Sequence, residues 1–263
     1  MNLNLTSKNA LVCGSSKGIG KASAIELALL GANITLVARN EAKLKETLQQ
    51  LDVSNNQQHD YVVIDFSDYK NVETAIQQLL QQRNEPYHIL VNNTGGPAGG
   101  LAIDAETTAF LQAFNNHLLC NHIITKAVVD GMKQAGYGRI INIISTSVKQ
   151  PLHGLGVSNT IRGAVANWAK TLANELGKFG ITVNNVLPGA TSTDRMQEIL
   201  ESKSVKTSLS VDMVASAMKE EIPLGRFAEP HEVAAAVAFL ATPAAAYING
   251  INVPVDGGRT GSL

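Results

Sequence analysis

The chain has 263 residues, 44% of them hydrophobic, and its 21 Lys and Arg against 22 Asp and Glu leave a formal net charge of -1. That is enough apolar material for one α/β domain with a substantial core, and the near-neutral balance argues against nucleic acid or an anionic membrane as the main partner. The two cysteines, Cys13 and Cys120, lie far apart in the sequence and suggest neither a disulfide framework nor a metal site. No signal-like or membrane-spanning run is evident, so a cytoplasmic protein working on a small molecule is expected.

In chain order, a short apolar run at 10–13 reads as a buried strand, and an amphipathic segment at 19–30 reads as a helix. Between them, within LVCGSSKGIG, Gly14, Gly18 and Gly20 are spaced G-x-x-x-G-x-G. A strand, a glycine turn and a helix in that order make a phosphate site. The helix N-terminus presents unpaired N–H groups and positive partial charge, and glycine lets a pyrophosphate approach the backbone. Ser16, Lys17 and Ile19 lie within the same turn and join the candidate cofactor residues.

Further β-branched runs recur at 34–38, 61–64, 89–91, 140–144, 181–187 and 251–255, with helical segments between them. This alternation predicts a doubly wound parallel sheet covered on both faces, three layers in all. Ligands of such sheets bind beyond the carboxyl ends of the strands. At the second strand end, where an NAD site usually carries an acid, the sequence has Arg39. Arg39 and Lys17 either favour the extra 2′-phosphate of NADP or are plain surface charges. At the third, Asp68 reads as a helix N-cap, while Asp65, beside Phe66, is placed to accept from an adenine amino group. The fourth runs into Asn92, Asn93, Thr94, Gly95, Gly96 and Pro97, small residues that leave room for a ring or sugar, or form a bare turn.

Taken together, the glycine turn, NNTG ending at Gly95, GRIINIIS ending at Ser145, NNVLPG ending at Gly189 and VDGG ending at Gly258 resemble the short-chain dehydrogenase/reductase family. The resemblance covers nearly the whole chain and is nearest to its 3-oxoacyl-acyl carrier protein reductase-like members. It implies a single Rossmann-like domain over 1–263, a nicotinamide cofactor, hydride transfer at a carbonyl or alcohol, and a homo-oligomer, tetramer or dimer. It also implies a nicotinamide loop at Pro188, Gly189, Thr191 and Thr193, and a substrate lid over 190–223. Met196, Met213 and Met218 would form an apolar wall in that lid or serve as plain packing.

The family's chemistry uses an Asn, a Ser, and a Tyr with a Lys four residues later. By the family's spacing, Ser145 matches the Ser, while the Asn, Tyr and Lys positions fall on His117, Ser158 and Arg162. No Tyr in the chain has a Lys four residues on. A subgroup of reductase-like members lacks the usual set in a similar way. Ser158 is a far weaker acid than a phenol, so a role in positioning water fits it better than direct proton donation. Arg162 keeps a positive charge that can bond ribose hydroxyls or a substrate carboxylate, but it cannot relay a proton. His117 has two readings: an imidazole that titrates near neutrality and moves the proton, or an Asn surrogate bonding a backbone carbonyl. Lys149 and His153 stand where the family lines its substrate pocket, or are ordinary loop residues. The resulting expectation is an NADP(H)-dependent oxidoreductase with a non-standard active site. The alternative is a catalytically silent dinucleotide-binding sensor or assembly partner.

Overall fold

A computed structural model describes residues 1–83 and 85–262. Seven parallel strands form one sheet in the order β3-β2-β1-β4-β5-β6-β7. They are β1 Asn9–Cys13, β2 Asn33–Ala38, β3 Asp60–Val63, β4 Ile89–Asn92, β5 Gly138–Ile143, β6 Ile181–Pro188 and β7 Asn252–Val255. The order reverses between β1 and β4, the switch point where such sheets open a crevice for ligands. Both faces of the sheet carry a buried apolar cluster. One packs α1 (Gly18–Leu29) and α9 (Pro230–Ala241) through Leu27, Val233 and Val237. The other packs α3 (Tyr69–Gln81), α5 (Cys120–Ala135) and α6 (Gly156–Leu176) through Ile76, Ile124 and Ala169. Burial on both faces is why the five inner strands read as continuous apolar runs and not as alternating ones.

The apolar runs locate every strand, but the structure extends them where polar residues are buried. β5 begins at Gly138, and Arg139 is 3% exposed there. Its guanidinium donates to the Gly138, Gly180 and Thr242 carbonyls, which is what makes the position tolerable. Four asparagines also stand in register across neighbouring strands. Asn92 donates to Asn142 at 2.9 Å, Asn142 to Asn185 at 2.9 Å and Asn185 to Asn252 at 2.8 Å. A one-residue slip would break all three bonds inside the sheet, so the ladder fixes register on the side of the switch point that carries β5 and β6.

The segment between β4 and β5 is not a uniform helix. α4 (Thr107–Phe114) passes into a π turn at Asn115–Leu119 and then into α5. The wider turn carries His117, and such bulges recur at functional sites. Asp68 caps α3 as expected, accepting from the Lys70 and Asn71 N–H groups. Cys13 and Cys120 are both free and buried. Beyond β6, α7 (Asp194–Thr207) and α8 (Val211–Glu220) form a separate small unit around Leu200, Val214 and Met218.

Candidate active site

A cleft of about 600 Å³ opens at the carboxyl ends of the strands around the switch point. Its floor at one part is the β1–α1 turn, where Gly14, Ser16, Lys17, Gly18 and Ile19 line the wall. Gly14 has φ +59 and Gly18 φ +56, both in the left-handed region that favours glycine. Gly20 does not line the cleft; a Cβ there would lie 2.2 Å from the Gly14 carbonyl oxygen and 2.6 Å from Asn93 Nδ2. Its role is to let α1 pack against its own lead-in turn. Lys17, the N-cap of α1, makes no side-chain capping bond, and the first turn carries no acid. The first N–H groups of α1 therefore face the cleft without a side-chain partner, which suits a pyrophosphate.

Arg39 at the end of β2 and Asp65, Phe66 and Ser67 beyond β3 line the next part. Asp65 accepts from the Ser67 N–H at 2.9 Å, and this bond, with a lesser contribution from Arg39, holds its carboxyl below the usual range. Lys17 departs from the expectation of a free phosphate partner. Its Nζ lies 2.9 Å from Asp194 Oδ2, across the cleft at the start of α7. That contact was not visible in the sequence, where the two residues are 177 positions apart. Arg195, next in line, donates to the Pro97 carbonyl at 2.8 Å and ties the same helix to the β4 loop.

At the end of β4, Asn93, Thr94, Gly95, Gly96 and Pro97 line the cleft, and Asn93 Nδ2 donates to the Gly14 carbonyl at 3.3 Å. Pro188 at the end of β6, with Gly189, Thr191 and Thr193 beyond it, also lines the cleft. Thr193 is the N-cap of α7, accepting from the Met196 N–H at 3.3 Å, and its hydroxyl donates to the Thr191 carbonyl at 3.3 Å. Of the three methionines, Met196 reaches the cleft. Met218 is buried between α7 and α8, and Met213 is 57% exposed, so an apolar wall of all three does not form.

Ser145, Ser158 and Arg162 are brought together in the same lining. Ser145 caps a short turn, its Oγ accepting from the Ser147 N–H at 3.1 Å, which leaves its O–H free to donate into the cleft. Arg162 Nη1 donates to the Ile143 carbonyl at 3.0 Å, and burial pushes its guanidinium down to about 10, still charged at neutral pH. His117 is not in the lining. It is 1% exposed, behind Thr94, with its Nδ1 at the Thr94 hydroxyl. Burial first, and the Arg162 charge second, push its pKa down to about 2. The expectation that its ring titrates near neutrality is thereby corrected: the environment, not the residue type, sets the proton affinity. Lys149 and His153 also lie outside the lining, on the loop that Asn159 staples by donating to the Leu152 carbonyl at 2.8 Å. Asn159 lies between Ser158 and Arg162 in an SN-x-x-R run, whose pattern gives no sign of this bond.

Comparison with known proteins agrees with this geometry. A family model described as enoyl-(acyl carrier protein) reductase matches residues 14–260. The 3-oxoacyl-acyl-carrier-protein reductase of Pseudomonas aeruginosa is 34% identical, over 97% of this chain and 98% of that protein. Among solved structures, L-sorbose reductase from Gluconobacter frateurii, complexed with NADPH and L-sorbose, superposes with a TM-score of 0.92 at 29% identity, covering all of both chains. A variant of actinorhodin polyketide ketoreductase with NADPH gives 0.89 at 31% identity, covering 97% of this chain and 98% of that one. With the sheet order, the glycine turn and the strand-end loops in place along almost the full length, the chain belongs to the short-chain dehydrogenase/reductase family.

Proposed function

We propose that the protein is an NADP(H)-dependent oxidoreductase that transfers hydride between the nicotinamide and a carbonyl or hydroxyl substrate of 3-oxoacyl-like character. The observation that carries this reading is the uncapped N-terminus of α1 opening onto a cleft that has Arg39, and no acid, at the end of β2. The residues present fit the cofactor. The α1 N–H groups take the pyrophosphate, Arg39 the 2′-phosphate, Asp65 the adenine amino group, and the Thr191 backbone with Thr193 the carboxamide. When bound, the nicotinamide supplies or accepts the hydride.

The chain's own residues orient the carbonyl and manage its proton. Ser145 donates to the carbonyl oxygen, and Ser158 holds a water that delivers the proton there. Arg162 orients the nicotinamide ribose or an anionic group of the substrate. His117, neutral and behind the wall, is a positioning residue for the Thr94 hydroxyl. Residues 190–223 act as a lid that excludes water, all of 1–263 works as one domain, and the protein acts in the cytoplasm as a homotetramer.

Fluorescence titration with NADPH and NADH, followed by addition of ketone and 3-oxoacyl substrates, tests the reading. NADPH is expected to bind at least tenfold more tightly, and Arg39→Glu to remove that preference, since a charge-assisted bond is worth about 1.5–3 kcal/mol. NADPH binding with no turnover on a broad panel would favour a silent sensor. Binding of neither nucleotide would defeat the proposal.

A further inference from the structure

Arg162 is 7% exposed, yet among the described residues no carboxylate lies within 4.0 Å of it, and burial alone governs its proton affinity. One of its donors is used, Nη1 on the Ile143 carbonyl at 3.0 Å. Nη2 faces the β4 loop, 4.0 Å from where a Cβ on Gly96 would stand, and Gly95 beside it has nothing within 4 Å of its own Cβ position. The free edge of the guanidinium thus looks into the cleft between Ser145, Ser158 and the two glycines of that loop. Thr94, Ser145 and Ser158 are all neutral there, and so is His117.

A buried charge with no counter-ion is costly, and leaving it so is understandable where a ligand supplies the opposite charge. A ribose hydroxyl would use the donors but leave the charge uncompensated. The planar fork of Arg instead matches a carboxylate, which takes two parallel N–H bonds. On the reading above, the cofactor's phosphates are held by α1 and Arg39, leaving none for Arg162. We propose that Arg162 is the receptor for a carboxylate on the substrate, so that the enzyme acts on a small free 2- or 3-oxo acid, or its hydroxy acid, in preference to the ester of that acid. This rests on the oxidoreductase reading and narrows its substrate class. The redox balance is that of any ketone reduction: carbon gains one hydride, oxygen gains one proton, and the carboxylate is a handle that does not react.

The test compares pyruvate, 2-oxobutyrate and acetoacetate with their methyl esters in wild type, Arg162→Gln and Arg162→Lys. The same acids are titrated calorimetrically into NADP⁺-saturated protein. The wild type is expected to prefer acid over ester at least tenfold in kcat/KM, mostly through KM. Arg162→Gln erases that preference and Arg162→Lys restores part of it, while NADPH affinity by fluorescence stays within about twofold, as expected for a group that does not hold the cofactor. Equal use of acid and ester by wild type overturns the proposal, as does a fall in NADPH affinity in Arg162→Gln that matches the loss for the acid. Where no carbonyl is turned over, acid binding that disappears in Arg162→Gln upholds the carboxylate receptor while the oxidoreductase reading fails. Absence of acid binding to the wild type overturns the receptor itself. Should the Gln variant not fold, the Lys variant, which keeps the charge but loses the fork, carries the comparison through its smaller acid preference; an undiminished preference there counts against the fork.

Discussion

His117 shows how far a residue's surroundings can remove the property for which its type is known. An unfolded chain protonates it near pH 6.5, whereas burial, aided by the Arg162 charge, pushes its pKa down to about 2 in the fold. Between those values the unfolded state binds the extra proton. Stability from this group is therefore fully present above about pH 6.5 and is lost as the pH falls towards the folded value. At pH 5 the loss amounts to roughly 2 kcal/mol. Thermal unfolding of wild type and His117→Asn at pH 8 and pH 5 should show the wild type losing that much more than the variant. Parallel losses would mean that the buried ring accepts its proton after all. In activity assays, the same neutrality predicts no limb near pH 6.5 that His117→Asn removes. Thr94, held at His117 Nδ1, is then the group through which the position influences the cleft.

At the scale of elements, α7 is the one that bridges the cleft. Its first residue, Asp194, pairs with Lys17 of the glycine turn, and Arg195 holds the Pro97 carbonyl. With side chains 53% and 62% exposed, the Lys17–Asp194 pair contributes little to stability, so Asp194→Asn should move the thermal midpoint by less than about 2 °C. Yet the pair occupies a cation beside the phosphate seat. Freeing it should tighten NADPH by about two- to tenfold at low salt, a gain that shrinks as salt screens the charges. Weaker NADPH binding in Asp194→Asn would instead show that the pair holds α7 in the place that the cofactor needs.

The same element marks the boundary of what the sequence makes legible. The strands are readable because both sheet faces are buried and the runs are apolar, and the glycine turn because its spacing answers to one backbone geometry. The strand edges are harder, since Arg139 is satisfied by the carbonyls of Gly138, Gly180 and Thr242, and the asparagines of β4 to β7 by one another across strands. The π turn at Asn115–Leu119 leaves no mark in residue type. Lys17 and Arg39 look alike in sequence as candidate phosphate partners, and only the fold shows that one of them is already engaged by α7. Ser145, Ser158 and Arg162 could be placed at one site from motif spacing, but not the missing counter-ion of Arg162, which depends on what every other segment fails to bring near it.

For the molecule as a whole, α4 runs against the usual economy of a surface helix. Across Thr107–Phe114 only Ala113 is fully buried, while Leu111 is 62% and Phe114 36% exposed, and Leu101 and Ile103 in the lead-in are 45% and 90% exposed. α3, by contrast, turns Val72, Ile76 and Leu79 inward. Exposed apolar side chains in such number are a burden for a monomer, and a second copy of the same chain meeting them across a two-fold axis covers them. The proposed homotetramer makes a direct demand on mass. Sedimentation equilibrium should give about four times the 27.9 kDa chain, or twice it if only one two-fold interface is strong. Leu111→Glu with Phe114→Glu should reduce the mass by at least half while leaving circular dichroism unchanged, because neither side chain supports the core of its own protomer. A wild type that sediments as a single chain at micromolar concentration would remove the assembly from the proposal. The cleft, whose described lining comes from one chain, would then be expected to work alone.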